Sequence, residues 1–258
     1  MTQYSLPNVG HDLSGQVALV TGTTSGLGKR FAQVLAACGA KVAISGRRVE
    51  RLEELAQELR AGGAEVVPIA LDMRDNDSII ACVEQAEQAL GTVTILVNNA
   101  GIPDAQRAHK MSTQLIDDVF DTNLRGPYVL SCEVARRLIA AELPGRMVNI
   151  SSVGAFNYAG QGAALYSITK AGIIRMTEAL AVEWARFNIN VNAIAPGAFS
   201  SEMMDGMLER MGDITKAFPR RRICDPAEMD STLLYFVSPA SSAVTGTFVK
   251  IDDGQGTR

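Results

Sequence analysis

The stretch Val17-Ala18-Leu19-Val20-Thr21-Gly22-Thr23-Thr24-Ser25-Gly26-Leu27-Gly28 decides the fold. An apolar run of strand length passes straight into a turn holding three glycines, and helical periodicity follows over residues 30–38. Glycines let a chain turn tightly and bring main-chain amides close to a phosphate, and the helix behind them turns its positive end to the same point. Such a turn can also do no more than close a corner between strand and helix. What raises the phosphate reading is its place after the first strand.

Outward from this corner the pattern repeats. Short apolar runs at 42–44, 66–70, 95–97, 147–150, 191–194 and 247–251 read as strands buried on both faces. Longer segments such as 50–59 and 79–90 carry helical periodicity. Parallel strands need long crossovers, and these are right-handed helices as a rule. The expected class is α/β: a Rossmann-type, doubly wound, mainly parallel sheet of about seven strands flanked by helices. No linker rich in Pro, Gly or Ser divides the chain, so residues 1–258 read as one domain. Within it lie an extension (1–14), the core with the cofactor and catalytic motifs (15–195), a substrate lid (196–226), and a C-terminal helix with the last strand (227–258). The lid reading rests on an unusually long connection rich in methionine.

Bulk properties remove several classes of function. Of the 258 residues 47% are hydrophobic, enough for a large core. A net charge of -4 gives no general attraction to nucleic acid or to anionic membranes. No apolar run approaches the ~20 residues that span a bilayer, and Met1 to Gly10 lacks the charged and apolar regions of a signal peptide. Cys38, Cys82, Cys132 and Cys224 are scattered, with neither His11 nor His109 beside them. Free thiols in a cytoplasmic protein without a metal site are expected.

The chemistry concentrates at Tyr166-Ser167-Ile168-Thr169-Lys170. Residues four apart on a helix share a face, so a phenol and an ammonium point into the same space. A free tyrosine titrates near about 10, and a neighbouring cation pulls it towards the working range. Separately, the second strand ends Ile44-Ser45-Gly46-Arg47-Arg48. In dinucleotide folds an acidic residue there holds the ribose 2′-hydroxyl. Here Gly46 supplies no carboxylate, while Arg47, with Arg48 beside it, suits a 2′-phosphate. NADP(H) is therefore favoured over NAD(H); a solvated arginine pair is the bland alternative.

Taken in order, these motifs resemble the classical short-chain dehydrogenase/reductase family over nearly the whole chain. The TGxxxGxG motif is Thr21 to Gly28, NNAG is Asn98-Asn99-Ala100-Gly101, YxxxK is Tyr166 to Lys170, and the following proline-glycine is Pro196-Gly197. The catalytic asparagine and serine match Asn123 and Ser152. The resemblance implies that Ser152 bonds the substrate oxygen, Tyr166 exchanges the proton, Lys170 lowers the tyrosine pKa and holds the nicotinamide ribose, and Asn123 organises a water relay. It also implies cofactor contacts at Gly22, Thr24, Ser25, Gly26, Leu27, Gly28, Asp72, Met73, Asn99, Ala100, Gly101, Pro196 and Gly197, with Asp72 meeting the adenine. Each residue has a structural use as well: a cap, a turn or a surface charge. The Ser152-to-Tyr166 interval is one residue longer than the commonest family spacing, which places a small insertion near Phe156-Asn157-Tyr158. Ser200 or Ser201 stands where the family carries a threonine.

Val153, Phe156, Tyr158, Phe199, Met203 and Met207 form the expected substrate wall, whose methionines suit a hydrophobic or bulky carbonyl. The two methionines, at helical spacing, suit core packing equally. Leu143 and Val182 fall where family reductases dock an acyl-carrier protein through arginines, which weakens that substrate. The segment Ala195 to Phe199 with Glu202-Met203 also looks like sugar-acid dehydrogenases, for which Arg220 to Arg222 would supply positive charge. The expectation is an enzyme interconverting a ketone and a secondary alcohol. A non-catalytic nucleotide sensor is the competing class. By resemblance, helices over 124–140 and 165–186 pair copies into a homotetramer or homodimer.

Overall fold

The computed structural model describes residues 8–158, 160 and 162–256. Seven strands form one sheet in the order β3-β2-β1-β4-β5-β6-β7, every neighbouring pair parallel. They are β1 Val17–Thr21, β2 Lys41–Gly46, β3 Val66–Ala70, β4 Ile95–Asn98, β5 Gly145–Ile150, β6 Ile189–Pro196 and β7 Phe248–Ile251. The helices are α1 Gly26–Ala37, α2 Val49–Ala61, α3 Asn76–Leu90, α4 Thr113–Phe120, α5 Gly126–Ala140, α6 Ala164–Trp184, α7 Glu202–Met211 and α8 Asp230–Val237. The expected parallel sheet is therefore parallel throughout, and the first helix starts within the glycine turn rather than after it.

Alternation along the strands feeds two cores. Ala18 and Val20 of β1 face one cluster, with Phe31 and Leu35 of α1, Leu52 of α2, and Leu233 and Phe236 of α8. Val17 and Leu19 face the other, with Ile79 and Val83 of α3, Leu130 and Leu138 of α5, and Ile173 and Leu180 of α6. Both faces of the sheet are thus covered, which is why its strands are apolar at consecutive positions. Between β1 and β4 the winding reverses, and ligands of such sheets bind in the crevice beyond the carboxyl ends at that point.

Arg146 shows how the frame closes on itself. Buried on β5, its Nε donates to the carbonyl of Ser238 at 3.1 Å, where α8 ends, and burial lowers its pKa. A cation at a helix C-terminus answers the negative end of the dipole. Among the described residues no helix is long and apolar enough to cross a membrane.

Candidate active site

Four segments meet beyond the carboxyl ends of β1, β4, β5 and β6. The glycine turn is bonded to the NNAG segment by Thr21, whose Oγ1 accepts from the amides of Asn99 and Ala100, each at 3.0 Å. Asn99 Nδ2 returns bonds to the carbonyls of Thr21 (2.9 Å) and Gly22 (3.1 Å). Gly22 has φ +70, and a Cβ there would lie 2.9 Å from Ala100 Cα. At Gly28 a Cβ would sit 2.2 Å from the Gly22 carbonyl oxygen. The glycines are thus required by close approach of main chain to main chain. Ser25 precedes α1 without capping it through its side chain, whereas Asp75, Ser112 and Ser201 cap α3, α4 and α7 in that way. Amides in the first turn of α1 keep donors for an anion, as a pyrophosphate cradle requires. Leu27 anchors the same turn against the core.

At the end of β2, Arg47 is exposed and forms no hydrogen bond or ion pair among the described residues, its charge acting on the Asp72 carboxylate from a distance, whereas Arg48 is bonded to the glycine turn. Arg48 donates to Thr24 Oγ1 from Nε (3.0 Å) and Nη2 (2.6 Å), and reaches Ser25 Oγ at 3.3 Å. Beyond β3, Asp72 pairs with Arg74 at 2.7 Å, and that guanidinium holds its carboxyl below the usual carboxylate range. Met73 is buried beneath it in the second core.

Ser152 ends the link from β5 and caps the 3-10 turn Val153–Ala155, its Oγ accepting from the amide of Gly154 at 3.0 Å. The same hydroxyl bonds the Tyr166 side chain. One turn along α6, Lys170 Nζ donates to the carbonyl of Ile150 at 2.8 Å and lies 5.6 Å from the Tyr166 ring centre. A Cβ on Gly101 would come within 3.5 Å of that ammonium and 3.4 Å of Asn123 Oδ1, so NNAG, Asn123 and Lys170 line one space. Tyr166 and Lys170 share a helix face as their spacing suggested, and Ser152 and Asn123, expected there from the resemblance alone, lie beside them.

The electrostatics differ from the expectation that Lys170 depresses the tyrosine. Burial is the larger influence and raises the Tyr166 phenol above its ordinary value; the Ser152 hydrogen bond opposes it, and the Asp104 carboxylate adds to it. Burial also pushes Lys170 down to about 8. Both groups leave water, and a low-dielectric site disfavours the charged form of each. A phenol that keeps its proton, hydrogen-bonded to a hydroxyl, can protonate an oxyanion.

The lysine shift has a measurable consequence. Its folded pKa lies below the 10.5 of the free group. Between those values the unfolded chain binds more protons, so the sign is a stability that rises with pH. Below about 8 both states are charged and the burial cost stands in full. Relative to Lys170→Met, wild type should gain on the order of 2 kcal/mol between about pH 8 and pH 10 in urea unfolding. A constant difference across that range would contradict the buried ammonium.

Asn123 lies in a π-helical turn, Asp121–Arg125, between α4 and α5. π turns are rare and gather at functional sites. Its Oδ1 accepts from the Ile102 amide at 2.8 Å, and its Nδ2 donates to the Ile102 carbonyl at 2.9 Å. The side chain is thus spent on holding the loop after NNAG.

Asp104, which sequence reasoning missed, accepts from the amides of Leu165 (2.9 Å) and Tyr166 (3.1 Å) and is almost fully buried. A carboxylate at the start of α6 satisfies two orphan amides and fixes the turn that carries Tyr166. Ser151, also missed, donates to the Lys170 carbonyl at 2.7 Å. Neither shows a local spacing; the only sequence hint was a polar residue beside a recognised motif.

Of the expected substrate wall, Val153, Phe156 and Tyr158 lie on the stretch after Ser152, and Met203 and Met207 lie on α7. That helix buries no residue, so the core-packing alternative for its methionines does not apply. Phe156 stacks on Phe248 at 5.1 Å, with Lys250 Nζ 4.2 Å from its ring centre. Phe199 is a correction: it is only 4% exposed and packs in the first core with Cys224 and Met229. The bridge between Phe199 and Cys224 turns it inward, away from any substrate. Arg220 and Arg222 both pair with Asp253, and Arg222 also pairs with Glu228, so their charge is largely answered within the protein. Pro196 ends β6, and Gly197 donates to the Ile251 carbonyl at 2.9 Å.

The sequence profile of the short chain dehydrogenases matches residues 16–211. The chain belongs to the short-chain dehydrogenase/reductase family. It is 34% identical over 251 residues to the oxidoreductase UcpA of Escherichia coli strain K12, covering 94% of this chain and 95% of that one. An actinorhodin polyketide ketoreductase crystallised with NADPH superposes with a TM-score of 0.89 at 33% identity, covering 94% of this chain and 98% of that one. A 3-ketoacyl-(acyl-carrier-protein) reductase from Brucella melitensis, complexed with NADH, gives 0.87 at 30% identity, covering 95% and 100%. As a short-chain dehydrogenase/reductase, the protein is an NAD(P)-dependent oxidoreductase acting on CH–OH groups. The cradle at Gly22 and Gly28 and the uncapped first turn of α1 fit such a dinucleotide.

Proposed function

We propose that the protein interconverts a ketone and a secondary alcohol with NADP(H), acting on a hydrophobic or bulky carbonyl compound. The observation that carries this is that Ser152, Tyr166 and Lys170 face one space: a Cβ on Gly154 would lie 3.3 Å from Ser152 Oγ and 3.9 Å from Tyr166 Cε1, and Lys170 Nζ is 5.6 Å from the Tyr166 ring centre. Gly22, Thr24, Ser25, Gly26, Leu27 and Gly28 would hold the pyrophosphate, Asp72 and Met73 the adenine side, and Asn99, Ala100, Gly101, Pro196 and Gly197 the nicotinamide half. Arg47, exposed at the end of β2, supports the phosphorylated cofactor. When bound, the cofactor supplies or accepts the hydride.

The side chains do the rest. Ser152 donates a hydrogen bond to the substrate oxygen and polarises it. Tyr166, which keeps its proton at neutral pH as an ordinary phenol does, gives it to that oxygen during reduction. Lys170 holds the nicotinamide ribose and resupplies the proton, its own value of about 8 making the exchange easy near neutrality. Asn123, in its π turn, keeps a water path to Lys170 open. Val153, Phe156, Tyr158, Met203 and Met207 supply the apolar wall.

One contact favours a second substrate, a sugar acid: Lys250 beside Phe156 puts a cation at the same wall. Assembly of copies through α5 and α6 belongs to the proposal too, since Tyr128 and Val182 expose apolar surface there. Light scattering at micromolar concentration tests it, and a monomer contradicts it. A panel of ketones, 3-oxoacyl thioesters and sugar acids, followed by dinucleotide absorbance, tests the function. Oxidation of NADPH by a bulky ketone supports it; inertness to all three classes in both directions favours the sensor.

A further inference from the structure

Glu202 is the first residue of α7, the lid helix, yet its carboxylate belongs electrically to the end of β2. It pairs with Arg48 Nη1 at 2.9 Å and with the Arg51 guanidinium, and both contacts hold the Glu202 carboxyl below its usual range. Arg48 meanwhile bonds Thr24 and Ser25 of the glycine turn. One guanidinium therefore joins the turn, the start of α2 and the lid. A second contact, independent of charge, says the same. Gly26 has φ +55, and a Cβ there would lie 2.9 Å from Cβ of Ser201, the cap of α7. The lid helix starts against the glycine turn.

We propose that Glu202 is a specificity-determining residue for the cofactor, an internal anion that a 2′-phosphate must displace from Arg48 and Arg51. The inference rests on the dinucleotide reading above. Of the three arginines near the end of β2, Arg47 acts only at longer range, on the Asp72 carboxylate, and forms no ion pair among the described residues, whereas Arg48 and Arg51 are both paired with Glu202, which therefore answers part of the positive charge there. A cofactor lacking the 2′-phosphate leaves Arg48, Arg51 and Glu202 as they are. A cofactor carrying it competes with the lid for the same two guanidiniums. By reciprocity, whatever the docked lid takes from the affinity for NADP(H), bound NADP(H) takes from the docking of the lid. The pairs are exposed, with side-chain accessibilities of 41% to 49%, so the competition is modest and readily reversed.

The test is calorimetric titration of the full chain and of Glu202→Gln with NADP+, NAD+ and 2′,5′-ADP. The glutamine keeps the shape and removes the charge. Affinity for NADP+ and 2′,5′-ADP should rise about three- to tenfold in Glu202→Gln, while that for NAD+ stays unchanged. An equal change for NADP+ and NAD+, or weaker NADP+ binding, overturns the inference and leaves the dinucleotide reading intact. Failure of wild type to bind either dinucleotide overturns both.

Discussion

Alanine in place of Gly28 is expected to undo the dinucleotide cradle. The added Cβ would meet the Gly22 carbonyl oxygen at 2.2 Å and Asn99 Nδ2 at 2.4 Å. Neither neighbour is free to yield. Gly22 is held by the hydrogen bond that its N–H donates to the Ser45 carbonyl (2.8 Å), and Asn99 already spans the carbonyls of Thr21 and Gly22. Overpacking of this kind costs about 1–3 kcal/mol, and main-chain contact belongs at the upper end. If about 3 kcal/mol falls on the cradle, dinucleotide affinity drops on the order of 100-fold. Urea unfolding and nucleotide titration, run together, read the effect in either place. Unchanged stability with unchanged affinity would show that the turn has room the geometry denies it.

The second large effect is kinetic. Tyr166→Phe keeps the ring and removes the hydroxyl that bonds Ser152. A positioned acid or base contributes about 10²- to 10⁴-fold, so kcat should fall by about 10³. Affinity for the dinucleotide should hardly change, because the glycine turn and the end of β2 are untouched. The split between kcat and binding separates a lost proton donor from a disturbed site. Turnover near the wild-type rate would remove Tyr166 from the mechanism.

Much of this was legible in the chain because its signals are local. The glycine turn follows its strand directly, and Tyr166 and Lys170 share a helix face through their own spacing. The strands were recognisable because burial on both faces leaves apolar residues at consecutive positions, although β6 extends from Ile189 to Pro196, beyond the run that marked it. What escaped were partners set by the fold. Asp104 reaches the start of α6 from 62 positions away, and no periodicity links them. Phe199 follows a cofactor motif and so read as substrate-facing, yet its bridge to Cys224 draws it into the core. Arg48 read as a helper to Arg47 or a solvated charge because Glu202, 154 positions on, is brought to it only by the placement of α7 in the fold. The direction of the Tyr166 shift was misread for a related reason. Spacing shows the neighbouring ammonium but not the burial, which is the largest influence on the phenol.

The central claim is that this site passes a hydride between the cofactor and a carbonyl carbon while Tyr166 handles the proton. The direct test uses NADPH carrying deuterium at both C4 positions of the dihydronicotinamide, oxidised by whichever carbonyl the substrate panel finds. Mass spectrometry of the product should place one deuterium on the carbinol carbon and none on the hydroxyl. Product without carbon-bound deuterium, formed while labelled cofactor is consumed, would contradict hydride transfer.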